Sequence, residues 1–133
     1  MIVLDTNVTS ELMRPAPLLV VTAWVRARNA RELYTTSITM AEIRYGIERP
    51  PDGRRKDLLR ITAEDVFSAF AEAVLPFDAA AAAEYAGIVS RRDRTGAPID
   101  GFDAQIAAIC RTHGAALATR NVKDFDATGI GSP

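Results

Sequence analysis

The chain has 133 residues, 48% of them hydrophobic and 25% charged, with 16 basic residues against 17 acidic ones for a net charge of −1. That length makes one domain, residues 1–133, with a core large enough to fold unaided, and the composition is that of a globule rather than a disordered tail. The near-neutral balance excludes a protein that holds nucleic acid by bulk phosphate neutralisation. No apolar run approaches the ~20 residues of a membrane span, and the single Cys110 excludes an internal disulfide and fits a reducing, cytoplasmic setting.

Ile2 to Leu4 is apolar without alternation, the pattern of a short strand buried on both faces. Leu18, Val21, Trp24 and Val25 have helical spacing, with Pro15 and Pro17 at the entry where proline is tolerated. Leu33 to Ile38 is rich in β-formers and predicts a second strand. Thr39-Met40-Ala41-Glu42 matches a capping box opening a helix through Ile43 and Ile47, which Pro50-Pro51 stops. Two further helical pieces follow from Leu58, Leu59 and Ile61 and from Val66, Phe67 and Phe70. Val74 to Phe77 is a short strand, edge-like because of Pro76. Asp78 caps a helix over 79–92, Thr95 to Pro98 breaks the chain, and Asp100 or Gly101 opens a helix with Phe102, Ile106, Ile109 and Cys110 on one face and Gly114 as its stop. Ala116 to Thr119 is the last strand, and Arg120 to Asp126 is polar loop.

Strands alternate with helices and no hairpin signal lies between them, which predicts a three-layer α/β/α sandwich around a central, mostly parallel sheet. Ligands of such sheets bind outside the carboxyl ends of the strands. Asp5 follows the first strand, Glu42 and Asp103 lie in the first turns of helices, and Asp124 follows the last strand. Each has a structural role available. Asp5 can cap a helix, Glu42 can complete the capping box, Asp103 can complement a helix dipole, and Asp124 can be a solvated loop residue. Gathered at one end of a sheet they would repel, and a hard divalent cation relieves that conflict, which points to metal-assisted phosphoryl chemistry.

Elimination runs the same way. His113 is the only histidine, so a two-histidine acid–base ribonuclease and a multi-histidine zinc site are both excluded; its place before Gly114 suits the dipole at a helix end. Cys110 lies on an apolar helix face and reads as core. No phosphate-cradling glycine loop or serine-hydrolase elbow is present. Arg54-Arg55-Lys56 and Arg91-Arg92-Asp93-Arg94 read as solvated faces. Arg44 and Arg120, each beside an acidic segment, are the better candidates for contact with a substrate or partner, although Arg44 also has Glu48 at i+4 for a partner.

The segments MIVLDTNVTSEL, TSITMAEIRYGIER, IDGFDAQIAAIC and ALATRNVKDF resemble, in order and spacing, the four signature blocks of PIN-domain ribonucleases, and in particular the VapC/FitB-like toxins of type II toxin–antitoxin modules. The resemblance implies an Mg²⁺-dependent endoribonuclease, with Mn²⁺ as a substitute, acting on RNA such as tRNA or rRNA. It implies a homodimer silenced by a cognate VapB-like antitoxin. Carried over by position, it implies metal ligands at Asp5 and Asp103, with Glu42 completing the cluster directly or through water and positioning the attacking water. Thr6 and Thr119 match hydroxyl positions beside the metal, and Asn7 matches a polar position near the strand end. Three departures stand out. Asn121 occupies a place where many relatives carry an acid that Asp124 replaces only in part, so one metal is expected. Thr9 stands where an apolar residue is common. The chain ends at Pro133, short of a closing strand, which predicts a weaker sheet edge. The alternatives are a HAD-like aspartyl-phosphate phosphatase, for which Asn7 replaces the second acid of D-x-D, and a non-catalytic PIN-like regulator that binds RNA or a partner without cutting.

Overall fold

A computed structural model describes residues 1–121 together with Phe125, Thr128 and Gly131. In chain order the elements are β1 (Ile2–Leu4), α1 (Thr6–Leu12), α2 (Leu19–Arg26), a 3₁₀ turn (Ala30–Glu32), β2 (Leu33–Thr36), α3 (Ser37–Glu48), α4 (Arg54–Ser68), β3 (Val74–Leu75), α5 (Ala79–Arg94), α6 (Gly101–His113) and β4 (Ala116–Ala118). The four strands form one sheet in the order β3-β2-β1-β4. Every pairing is parallel, with Ile2 opposite both Leu33 and Ala116 and with Thr35 opposite Val74. The expected sandwich is present, and among the described residues its sheet is wholly parallel.

Successive strand residues face opposite layers, and the core divides accordingly. Val3, Leu75 and Leu117 pack with Ile88 of α5 and with Ile106 and Ile109 of α6. Leu4, Leu33 and Ala118 pack with Val8 of α1, Val21 of α2 and Phe70. A third cluster of Ile43, Ile47, Ala63 and Phe67 joins α3 to α4. Because helices cover both faces of the sheet, the strands read as plain apolar runs. Cys110 is buried in the α6 layer, and burial pushes its thiol up to about 12, so it is a core residue and no nucleophile.

Several element boundaries differ from the sequence pattern: β3 ends at Leu75, β4 at Ala118 and α5 at Arg94. The second strand ends at Thr36, and α3 begins at Ser37 with Thr36 as its cap; the Thr36 hydroxyl accepts from the Thr39 amide at 3.0 Å. The two helical pieces after Gly53 are one helix, α4, since no proline or glycine interrupts residues 54–68. The Leu117 amide donates to the Gly131 carbonyl at 3.1 Å, so the outer side of β4 has a backbone partner where a weaker edge is expected. Gly114 stops α6 as expected, at φ +61 in the left-handed region.

Thr35, fully buried in β2, carries a hydroxyl with no hydrogen-bond partner among the described residues. An unpaired buried hydroxyl costs about 1 kcal/mol or more, whereas valine has the same shape. Thr35→Val is therefore expected to hold or raise the melting temperature by a few degrees. A clear fall in thermal denaturation would show that the hydroxyl is bonded.

Candidate active site

The strand order carries the first clue. From β1 the chain builds outward through β2 to β3, then returns to place β4 on the other side of β1. The order therefore reverses between β1 and β4, and a crevice opens where the segments after those two strands diverge. Asp5, Thr6 and Asn7 leave β1 at this point, and Thr119, Arg120 and Asn121 leave β4.

Asp5 is tied to both sides of the switch point. Its amide donates to the Ala118 carbonyl at 3.0 Å, and its Oδ1 accepts from the Val8 amide at 2.8 Å, which makes it the N-cap of α1. Only 3% of the residue is exposed. Burial pushes its carboxyl above the ordinary value, while hydrogen bonds from the Thr119 hydroxyl and from the Val8 and Asn7 amides pull the other way. Capping is thus a real role of Asp5, but a cap needs only one oxygen and gains nothing from such burial.

Glu42 loses its structural role. With Thr36 as the cap, Glu42 sits in the second turn of α3, out of reach of the capping-box geometry. Its Oε1 instead accepts from the Thr6 hydroxyl at 2.7 Å, bringing α3 onto the first turn of α1. Burial raises the Glu42 carboxyl most; the Thr6 hydrogen bond lowers it, and the like charges of Asp100 and then Asp5 raise it. Two carboxylates from distant elements therefore feel one another across the crevice.

Asp100, the N-cap of α6, accepts from the amides of Phe102 and Asp103. Its like charge raises the Glu42 carboxyl, and α6 packs against α3. Asp103 lies half-buried in the first turn of α6, where Asp100 already serves the free amides. Sequence reasoning took Asp100 only as a helix opener; the i, i+3 spacing to Asp103 was the available sign that both face one way.

Asn7, Ser10, Glu11, Arg14, Arg120 and Asn121 line a polar cleft of about 540 Å³. The Glu11 carboxylate, 8% exposed, accepts from the Leu18 amide at 3.1 Å and lies 3.6 Å from the Arg14 guanidinium. The Asn121 amide donates to the Thr119 hydroxyl. Glu11 and Arg14 were not singled out in the sequence, because nothing local shows that α1 forms a wall of the cleft. Arg44 turns elsewhere: it pairs with Glu64 of α4 at 2.6 Å and stacks over Phe67, leaving Glu48 to Arg60 and Lys56. Asp124 lies outside the described residues.

No three His, Cys, Asp or Glu side chains among the described residues are placed to enclose a metal ion. That excludes an all-protein cage of the zinc or calcium type among them. The side chains around the centre offer oxygen alone, from Asp5, Glu42 and the threonine hydroxyls. Their raised, mutually repelling carboxyls are the electrostatic situation that a cation relieves.

A family profile for the PIN domain matches residues 2–130. The chain belongs to the PIN-domain family. Among its relatives, the VapC ribonuclease Y4jK of Sinorhizobium fredii is 40% identical over 98% of this chain and 94% of its own. Toxin FitB of Neisseria gonorrhoeae is 38% identical over the same shares of the two chains. A solved structure of FitAB bound to an IR36 DNA fragment superposes with a TM-score of 0.92 at 37% identity, covering 100% of this chain and 94% of that one. This PIN domain is thus matched by its relatives along its whole length, with both sides of the switch-point crevice included.

The raised carboxyls have a consequence for stability. Where a folded carboxyl sits above its ordinary value, here 3.8 for Asp5 and 4.5 for Glu42, the folded state holds a proton that the unfolded chain has released. Stability is then lost as pH rises through the raised values. Asparagine keeps the N-cap without the charge. In chelator-treated buffer Asp5→Asn is expected to melt above the wild type at neutral pH, with the gap narrowing as pH falls toward 4. Thermal melts across that range would contradict this if the variant melted lower throughout.

Proposed function

We propose that this PIN domain is an endoribonuclease toxin of the VapC/FitB kind, hydrolysing RNA phosphodiesters at the crevice between β1 and β4, and that a VapB-like antitoxin silences it. The observation that carries the reading is the meeting of two raised carboxyls, the buried Asp5 and the half-buried Glu42, at the switch point of a parallel sheet, in a chain whose 40%-identical relative is named a ribonuclease. The aspartyl-phosphate alternative has nothing comparable, since Asn7, in the place of its second acid, is exposed on the cleft.

In this reading Asp5 and Asp103 would hold an Mg²⁺ ion, with Glu42 beside them assisting directly or through water. When bound, such a cation polarises the phosphodiester, lowers the pKa of water and offsets the clustered negative charge. Asp5 is fixed by its cap and by Thr119, so its carboxylate would meet the ligand without reorganisation. Glu42 orients the attacking water and takes its proton. Water oxygen bonds to phosphorus as the bond to the 3′ oxygen breaks; the 3′ oxygen takes a proton from solvent and Glu42 gives its own back to solvent, leaving a 3′-hydroxyl and a 5′-phosphate. Arg14 and Arg120, on the cleft beside the centre, take the RNA backbone on its way in.

The test is cleavage of a pooled tRNA and rRNA preparation with Mg²⁺ or Mn²⁺ and with EDTA. Discrete metal-dependent cuts are expected, falling at least about 100-fold in Asp5→Asn. Cutting that survives EDTA, or survives the substitution, overturns the site assignment; metal-independent RNA binding by well-folded, inactive protein would favour the regulator instead. On the same RNA, Arg120→Ala is expected to weaken binding across sequences and to lower the salt-dependence slope by about 1, measured by filter binding over a range of salt concentrations.

A further inference from the structure

Thr39 has no capping role, because Thr36 caps α3 in its place. Its side chain is nevertheless fully buried and hydrogen-bonded twice, to Thr6 at 3.0 Å and to Thr36 at 3.4 Å between hydroxyl oxygens. We propose that Thr39 is a positioning residue for Glu42, acting through Thr6: a one-way chain of hydroxyls from Thr36 to Thr39 to Thr6 ends on the Glu42 carboxylate and sets its orientation.

The direction follows from counting protons. Each hydroxyl has one to donate, and an ionised carboxylate has none. Thr6 gives its proton to Oε1 of Glu42 at 2.7 Å, so in the Thr6–Thr39 pair Thr6 accepts and Thr39 donates. Thr39 has then spent its proton, and Thr36 donates to Thr39. The Thr36 oxygen in turn accepts the backbone amide of Thr39 at 3.0 Å, which anchors the chain at the end of β2. Bonds aligned head to tail polarise one another in the same sense, and here each strengthens donation to Glu42.

The consequence is geometric. Thr6 opens α1 directly after Asp5, whereas Glu42 belongs to α3; the Thr6 hydroxyl is the hydrogen bond that relates the two. Its bond to Glu42 requires one staggered rotamer of Thr6, and Thr39 is the donor that holds that rotamer. Thr36 and Thr39 are both fully buried, so bulk water does not take the place of a lost hydroxyl. The inference rests on the reading of Glu42 as part of the cation site, in which Thr6 is an outer partner and Thr39 lies one bond further out.

The test uses Thr39→Val, which keeps the shape and removes the proton, with Thr39→Ala as a second variant and Thr39→Ser as the conservative rescue. One readout is Mn²⁺ binding to the RNA-free protein by calorimetry. Thr39→Val and Thr39→Ala are expected to bind about tenfold more weakly, Thr6→Val about 10–100-fold more weakly, and Thr39→Ser like the wild type. Because Thr39 acts through Thr6, the double variant Thr6→Val/Thr39→Val is expected to match Thr6→Val alone. The second readout needs no metal: three-bond couplings at Thr6 should report one side-chain rotamer in the wild type and in Thr39→Ser, and averaging in Thr39→Val. Unchanged Mn²⁺ affinity with a single Thr6 rotamer in Thr39→Val, or losses that multiply in the double variant, would overturn the proposal. Failure of the nuclease reading looks different: no RNA is cut by the wild type, while the Thr6 rotamer and Mn²⁺ series still decide the role of Thr39.

Discussion

The interaction on which the site depends is the burial of one carboxylate, Asp5, at the end of the central strand. Its backbone amide closes the β1–β4 pairing, and its side chain starts α1. The same atoms therefore join the sheet, begin the first helix and present a charge to the crevice. A buried anion is costly unless hydrogen-bonded, and the amides of Val8 and Asn7 with the Thr119 hydroxyl provide that support. They leave the carboxyl raised all the same, so the fold holds Asp5 in a state that water alone would not favour. Such residual strain at a site is where ligand binding has most to contribute.

The same economy appears around Glu42. A carboxylate in the middle of α3 has no backbone amide to accept, because those are used within the helix. Its partner has to come from another element, and Thr6 supplies it from α1. Threonines then do successive jobs within a few residues: Thr36 caps the helix, Thr39 links inward, and Thr6 reaches the acid. Serine and threonine are favoured at helix starts because they bond nearby backbone, and here that tendency is carried on into a chain of side chains.

Away from the site the molecule is held by ordinary means. Glu48, at the end of α3, meets Arg60 and Lys56 of α4, and the Arg60 guanidinium holds its carboxyl down at about 2. Lys56, itself 8% exposed, also donates to the Glu48 and Pro50 carbonyls and so fastens the turn after α3. This is why only part of the Arg54-Arg55-Lys56 run is a solvated face: its lysine has been drawn into the hinge between two helices. Arg92 likewise is buried in α5 and donates to the Ala97 carbonyl. Runs of like charge say little about which members reach solvent, since partners several residues away in sequence decide it.

The sequence by itself determined the alternation of strands and helices, hence a parallel sandwich, because an apolar run without alternation can be satisfied only by cover on both faces. It also carried the acids that follow β1 and open α6, and the proline and glycine stops, because those signals are local and each acts within one turn of chain. Tertiary structure alone decided the rest. The place of β4 beside β1, and so the crevice, comes from pairing across more than a hundred residues, about which local propensity says nothing. The cap of α3 moved from Thr39 to Thr36 because β2 ends where its pairing with β3 ends, at Thr36 opposite Leu75, and that shift turned Glu42 from an expected cap partner into a half-buried acid held by Thr6. Arg44 pairs with Glu64 rather than with Glu48 because α4 lies against α3. In each case a side chain with two available partners was assigned by whichever element packed beside it, and packing between distant elements is the one thing a local pattern does not contain.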